Sequence, residues 1–379
     1  IVAAAAMTMG LAMPAFASEA GETPKKATDA YISKTYNTEV GQAFSFKFTA
    51  DQDKTSRGVI TADHPITIPA ISFTEAEKGS TTKCGEKINF GTFTQAGKYV
   101  YTVKEGVSDP VINNNDHVKL IMSQAEYKMD VYVVEKTGGT LEIDKIIVNK
   151  TKDDKGKATT GKVDIGGDAS KNGFNFVNTY VQEAGTGEKP DPNKPDPDYK
   201  TNGALNVSKK VIQNVTDAEK SLPTEKFDFT AKFEFPAGTD AKTLGGIKDA
   251  NGEDVTLAEG GTYTFHLKAN KNMKFTGVPV GTTITVKESA AKNYKGSAEI
   301  TINGTKLTPV AETSYNTELR AVNSQKLGQK QNTVDVTNTY NDVPVTGIIM
   351  NTLPYVLMIA LCGVALIAFV GFKRRRLQK

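Results

Sequence analysis

The chain has 379 residues, with 46 Lys and Arg against 43 Asp and Glu and a formal net charge of +3. Residues 347–379 hold five of the basic residues and no acid, and residues 1–17 are uncharged. The span between therefore has 41 basic against 43 acidic residues, without the concentrated basic face that a nucleic-acid partner requires. Of the 2 cysteines, Cys84 lies in a polar region and Cys362 inside a C-terminal apolar stretch, so no disulfide can staple the fold.

Residues 1–17 are apolar and end in Ala15-Phe16-Ala17, the small-x-small pattern of a secretory signal peptide whose first residues precede Ile1. The exported chain is expected to begin near Ser18. From there two halves repeat short strings in the same order. The first half has Ile32-Ser33-Lys34, Phe44-Ser45-Phe46, Thr102-Val103-Lys104-Glu105 and Asn178-Thr179-Tyr180. The second has Val207-Ser208-Lys209, Phe227-Asp228-Phe229, Thr285-Val286-Lys287-Glu288 and Asn338-Thr339-Tyr340. The charged, proline-rich segment between them, with Lys189-Pro190-Asp191-Pro192 and Lys194-Pro195-Asp196-Pro197, reads as a hinge or spacer. The predicted division is an N-terminal domain over 18–184, a linker over 185–201 and a C-terminal domain over 202–341.

Within each half, apolar residues alternate with polar ones. Phe44, Phe46 and Phe48 share a face, as do Tyr99, Tyr101 and Val103, Phe227, Phe229 and Ala231, and Val334 and Val336. Short period-two segments separated by glycine turns predict an all-β chain of two tandem immunoglobulin-like β-sandwiches, with little helix outside the C-terminal stretch.

The same alternation turns six polar groups inward. Lys34 shares a face with Ile32, Glu105 with Val103 and Asn178 with Phe176. Lys209 follows Val207, Glu288 follows Val286 and Asn338 follows Val336 in the same way. Unpaired buried charges are costly, so these groups need partners. One chemistry accounts for lysine, glutamate and asparagine together. A desolvated, neutral amine attacks a carboxamide, a protonated glutamate stabilises the oxyanion and shuttles protons, and ammonia leaves behind an amide crosslink. Lys210 would replace Lys209 only if the strand register slipped by one.

At the C-terminus, Val343-Pro344-Val345-Thr346-Gly347 precedes an apolar stretch over 348–372 and the basic run Lys373-Arg374-Arg375-Arg376. About 25 residues at ~1.5 Å rise would cover the ~30 Å core of a bilayer, with the basic run left in the cytoplasm. This order of motif, span and basic tail resembles the sorting signal of Gram-positive surface proteins. The resemblance implies that a sortase cuts between Thr346 and Gly347 and passes the Thr346 carbonyl to an amine.

Taken with the repeated triads, the chain resembles the backbone pilins of Gram-positive sortase-assembled pili, of the streptococcal T-antigen type. These have two CnaB-type immunoglobulin-like domains, each with a self-generated Lys-Asn isopeptide bond assisted by a Glu. The resemblance implies Lys34 bonded to Asn178 with Glu105 assisting, and Lys209 bonded to Asn338 with Glu288 assisting. It points to Lys171, in the loop before the last strand of the first domain, as the amine that receives Thr346 of another subunit. Lys150, Lys152, Lys155, Lys157 and Lys162 lie nearby, and no Tyr-Pro-Lys motif marks the acceptor.

The implied partners are a pilus-specific sortase, identical subunits, minor pilins, peptidoglycan and a host surface ligand, with the protein displayed on the cell wall. No cofactor or metal is expected. Asp51, Asp53, Asp153 and Asp154 lack EF-hand spacing and read as solvated loop acids. His64, His117 and His266 are scattered, with no HExxH and no nucleophile elbow, which argues against an enzyme. The competing reading is a monomeric wall-anchored adhesin or minor pilin, which would need no acceptor lysine.

Overall fold

The computed structural model describes residues 26–191, 196–213 and 225–340. The signal peptide, the sorting motif at 343–347 and the apolar span after it lie outside the described residues. Among the described residues no helix is long and apolar enough to cross a membrane.

The first domain runs through β1 (Tyr31–Thr38), β2 (Phe44–Gln52), β3 (Ile71–Phe73), β4 (Gly79–Lys87) and β5 (Gly97–Asp109). It continues with β6 (Val118–Ile121), β7 (Glu126–Glu135), β8 (Leu141–Lys152), β9 (Ala158–Val163) and β10 (Asn175–Gln182). A short helix, α1 (Pro197–Asn202), the one helix among the described residues, follows. The second domain contains β11 (Leu205–Ile212), β12 (Phe227–Glu234), β13 (Thr262–Leu267), β14 (Lys271–Phe275) and β15 (Thr283–Glu288). It ends with β16 (Tyr294–Ile302), β17 (Thr305–Lys306), β18 (Val310–Ala311), β19 (Leu319–Lys326) and β20 (Thr333–Tyr340).

Each domain is a sandwich of two sheets. In the first, β4-β1-β10-β6 faces β3-β2-β5-β7-β8-β9; in the second, β14-β11-β20-β16-β17, with β18 also on β16, faces β13-β12-β15-β19. The expected alternation supplies the cores. Phe44, Phe46 and Phe48 of β2 and Tyr99, Tyr101 and Val103 of β5 are buried, as are Phe227, Phe229, Ala231 and Phe233 of β12. Each such large side chain contributes about 1.5–3 kcal/mol by leaving water.

One pairing departs from the antiparallel rule. The first strand of each domain lies parallel to its last: β1 on β10 and β11 on β20. The register is the same in both. Lys34 is opposite Phe176 and Tyr36 opposite Asn178, while Lys209 is opposite Val336 and Val211 opposite Asn338. Each lysine and its asparagine thus sit two residues apart on neighbouring strands and project to the same side.

The segment expected to act as a hinge is packed in its described parts. Val280 N–H donates to Gln182 O at 2.8 Å, Ala184 N–H to Val278 O at 2.9 Å, and Gly185 N–H to Gly328 O at 3.0 Å, so the chain entering the connector is bridged to the second domain. Gly281, at φ 84°, lets the backbone pass so close that a Cβ there would meet Glu39 Cγ at 2.3 Å. Asp196 caps α1 by accepting from Asp198 N–H, and Pro197 opens the helix. Tyr199 of α1 donates to Glu183 Oε1 at 2.8 Å, and His117 Nδ1 lies 2.6 Å from Glu183 Oε2. Gly277 N–H of the second domain also donates to Glu183. The buried Glu183 carboxylate therefore ties together both domains and the helix between them.

The Glu183 hydrogen bond raises the His117 pKa above its ordinary value. A raised histidine contributes stability that is fully present below its unfolded pKa of about 6.5 and is lost as the pH climbs through the folded value. Protease cleavage within 185–201 is accordingly expected to increase as the pH is raised past neutrality. Glu183→Ala should loosen the joint at every pH, costing about 2–4 kcal/mol because Tyr199 and Gly277 lose their acceptor. Cleavage indifferent to both changes would contradict this account of the joint.

Candidate functional site

The parallel pairing brings each predicted triad together inside its sandwich. In the first domain Lys34 and Asn178 are 0% exposed and the Glu105 side chain is 1% exposed. Lys34 Nζ lies 2.7 Å from Glu105 Oε1, without the alignment of a good hydrogen bond, and Asn178 Nδ2 donates to the same oxygen at 2.9 Å. In the second domain Lys209 Nζ is 2.6 Å from Glu288 Oε1, and Asn338 Nδ2 donates to that oxygen at 2.8 Å. Lys209, Glu288 and Asn338 are each buried, whereas Lys210 is exposed, so the register selects Lys209. One carboxylate oxygen bridges amine and carboxamide in both sites.

β5 and β15 carry the glutamates in from the facing sheet, where Glu105 pairs with Phe48 and Glu288 with Phe229. Aromatic rings close the other side of each amine. Lys34 Nζ stands 4.5 Å from the Phe46 ring centroid, and Lys209 Nζ stands 4.3 Å from that of Phe227. This apolar wall removes water and sets the electrostatics. Burial pushes both amines down to about 8, against the opposing pull of Glu105 and Glu288. Burial likewise raises both glutamates, opposed by the lysine charge and the hydrogen bonds they accept. The two shifts bring the neutral pair, amine and carboxylic acid, closer in energy to the ion pair.

That arrangement suits aminolysis of an amide. The amine has little competing hydration, the carboxamide is held beside it, and a single acid touches both nitrogen atoms that exchange protons. As an ion pair alone it would be a weak source of stability, because desolvation cancels most of the attraction. A surface cavity of about 300 Å³, lined in part by Lys104, Glu105, Ser123 and Gln124, lies beside the first triad.

Two participants were not anticipated. Ser123 N–H donates to Asn178 Oδ1 at 2.7 Å and to Glu105 Oε2 at 3.2 Å. Asp154 was expected to be a solvated loop acid. Instead its Oδ1 accepts from Ser123 Oγ at 2.7 Å and Val177 N–H at 2.8 Å, and its Oδ2 accepts from Lys150 at 2.9 Å. The signal that could have marked it is weak: two adjacent acids in a glycine turn.

Lys171 lies on the turn before β10, where Lys171 N–H and Asn172 N–H donate to Asp168 O. Its side chain is 77% exposed, with Nζ 3.7 Å from Asp168 Oδ2. By contrast, Lys150 and Lys152 are engaged with Asp154 and Glu126, while Lys155, Lys157 and Lys162 are exposed. The chain runs from Lys171 down β10 into the joint, and then from the joint down β20 to Tyr340. Lys171 and the end of β20 are therefore at opposite ends of the two-domain unit.

Comparison with known proteins bears on this site. Residues 203–340 match a domain of unknown function (DUF7601). A search of the curated proteins returns no match. Among solved structures, the chain is similar to the major pilin protein (T3.2) of Streptococcus pyogenes at 21% identity, covering 83% of this chain and 99% of that one, with a TM-score of 0.31. Another major pilin structure from Streptococcus pyogenes aligns at 18% identity over 83% of this chain and 99% of that one, with a TM-score of 0.31. A bacterial adhesin from Mobiluncus mulieris containing disulfide, isopeptide and ester bond cross-links aligns at 14% identity over 82% of this chain and 86% of that one, with a TM-score of 0.22. Residues 30–181 match the family described as the Spy0128-like isopeptide containing domain, a match that supports the resemblance to backbone pilins with isopeptide domains read from the sequence. That match spans the first domain, with Lys34, Glu105 and Asn178 at its centre.

Proposed function

We propose that this chain is the shaft subunit of a sortase-assembled surface pilus, built from two CnaB-type domains that each close a Lys-Asn amide bond within themselves. The observation that carries the reading is the pair of buried triads in one register across parallel first and last strands. The family match of the first domain supports it, and so does the Val343-Pro344-Val345-Thr346-Gly347 motif ahead of an apolar span and basic tail. In this reading the signal peptide exports the chain, the C-terminal span holds it at the membrane, and a sortase joins Thr346 to Lys171 of the next subunit. Lys171 suits that role because it is exposed and lies at the end of the unit opposite Tyr340, so repeated joining gives a head-to-tail fibre.

Each internal bond would form as its glutamate takes a proton from the lysine, whose free amine attacks the asparagine Cγ. The glutamate passes that proton to Nδ2 and takes the second proton from the former lysine nitrogen as ammonia departs, so the buried ion pair is replaced by a neutral amide and a neutral carboxylic acid. With the neighbouring subunit joined at Lys171, tension would enter there and pass along residues 172–178 into the joint, leaving residues 35–170 unloaded and β1 tied to β10 by the Lys34–Asn178 bond. In the second domain the Lys209–Asn338 bond would shield residues 210–337.

The intact wild-type protein is expected to weigh two ammonia masses less than its sequence, and Glu105→Ala or Glu288→Ala one ammonia mass less. A wild-type mass equal to the sequence mass would sink the proposal. Each glutamate variant should also lose about 4–5 kcal/mol of stability, by analogy with a crosslink closing a loop of roughly 100 residues.

Under single-molecule pulling, the wild-type should show no domain-sized extension. Glu288→Ala should release roughly 400 Å or more of contour length, since residues 210–337 extend at about 3.3–3.6 Å each. Muramidase-released wall protein should run as a boiling-resistant ladder that Lys171→Ala abolishes. A single band from the wild-type would instead favour a monomeric wall-anchored protein, and a ladder in both strains would move the acceptor to another lysine.

A further inference from the structure

The two triads differ at one atom. Asn178 Oδ1 accepts the Ser123 main-chain N–H at 2.7 Å, whereas Asn338 Oδ1 is buried with no hydrogen-bond partner among the described residues. Strand geometry is the cause. In the first domain β6 pairs with β10 only from Ile121–Thr179 to Val118–Gln182, then breaks away, leaving the following backbone free to turn toward the Asn178 side chain. In the second domain β16 stays paired with β20 from Tyr294–Tyr340 to Thr301–Thr333, with Gly296 directly opposite Asn338. A neighbour held in a continuous ladder presents no amide to the side-chain oxygen.

The break in the first domain is braced. Asp154 Oδ1 holds Ser123 Oγ and, from the other side, Val177 N–H next to Asn178. One carboxylate oxygen thus fixes the distance between the donor and the strand that carries its acceptor.

We propose that the Ser123 main-chain N–H is the oxyanion-stabilising donor for amide formation in the first domain, and that Asp154 is the positioning residue that holds it on Asn178 Oδ1. The proposal rests on the Lys-Asn chemistry set out above. When the Lys34 amine adds to Cγ, the C=O π pair moves onto Oδ1, where the fixed N–H meets the growing negative charge. The pair then re-forms the carbonyl as the Cγ–Nδ2 bond breaks, and Nδ2 leaves as ammonia with the proton relayed by Glu105. A donor already in place costs no reorganisation at that moment. In the second domain the same charge develops on an oxygen with no fixed donor among the described residues, so the first domain closes ahead of the second.

Cell-free synthesis of the full chain tests this. Samples are stopped at intervals in acid and denaturant, digested, and weighed for the cross-linked Lys34–Asn178 and Lys209–Asn338 peptides. In wild-type the first crosslink is expected to appear several-fold faster than the second. Replacing the Ser123 N–H by an ester oxygen should slow the first crosslink roughly 100-fold and leave the second, in the same molecules, unchanged. Asp154→Ala should slow the first crosslink as well. Asp154→Asn keeps an acceptor oxygen for Ser123 and Val177 and should close at close to the wild-type rate. Its pH–rate profile should move to lower pH, because a carboxylate that favours the charged form of Lys34 is gone. That shift reports the Asp154 charge on Lys34, whereas a rate kept by Asn but lost with Ala reports its hold on Ser123. First-domain closure untouched by the ester overturns the proposal. Wild-type first domains that never lose ammonia overturn the Lys-Asn chemistry itself.

Discussion

Everything distinctive about this chain depends on putting a charged lysine where there is no water. Lys34 and Lys209 are among the largest fully buried side chains of the molecule, each set between an aromatic ring and a glutamate. Such a group is tolerable only if its charge is matched or removed. The sandwich provides the match at once, through a carboxylate less than 3 Å away, and the route to removal through the carboxamide that shares the same oxygen. Parallel pairing of first and last strands makes this geometry available. It is the one arrangement here in which residues from the two ends of a domain lie side by side, offset by two positions, on a face the other sheet covers.

The two domains reach the same constellation with different surroundings. Amine, acid and amide nitrogen superpose in role, while the amide oxygen is served by backbone in one domain and by nothing among the described residues in the other. The difference follows from the length of one neighbouring strand: four residues in β6 against nine in β16. Local strand length, with no change in the triad itself, is enough to make the two sites unequal.

Much of the site was legible because period-two alternation is a statement about faces. Placing Lys34 with Ile32, Glu105 with Val103 and Asn178 with Phe176 needs only the pleat, and the structure buries all six polar groups so identified or their side chains. What alternation cannot express is contact between segments outside strands. Ser123 and Asp154 sit in turns, where no period applies, and their importance comes from backbone direction and from a partner more than twenty residues away. The joint was obscured for a related reason. Proline and charge in residues 185–201 describe how the segment behaves alone, and neither reveals that Glu183 beside it is buried against His117, Tyr199 and Gly277. The parallel pairing was equally silent, since strand direction leaves no trace in an apolar pattern.

The Glu183 joint acquires a mechanical meaning once both internal bonds are closed. Along the subunit the stretch from Asn178 to Lys209 is then the part between the two crosslinks that can lengthen, because the bonded spans are out of the force path apart from the short, already extended run from Lys171 to Asn178. Its described parts are held by a few backbone hydrogen bonds, one short helix and one buried carboxylate. Pulled straight, these roughly 30 residues would yield about 100 Å. A fibre of such units would behave as rigid rods in series with short, re-formable springs, absorbing a sudden jerk at the joints while the rods keep their length.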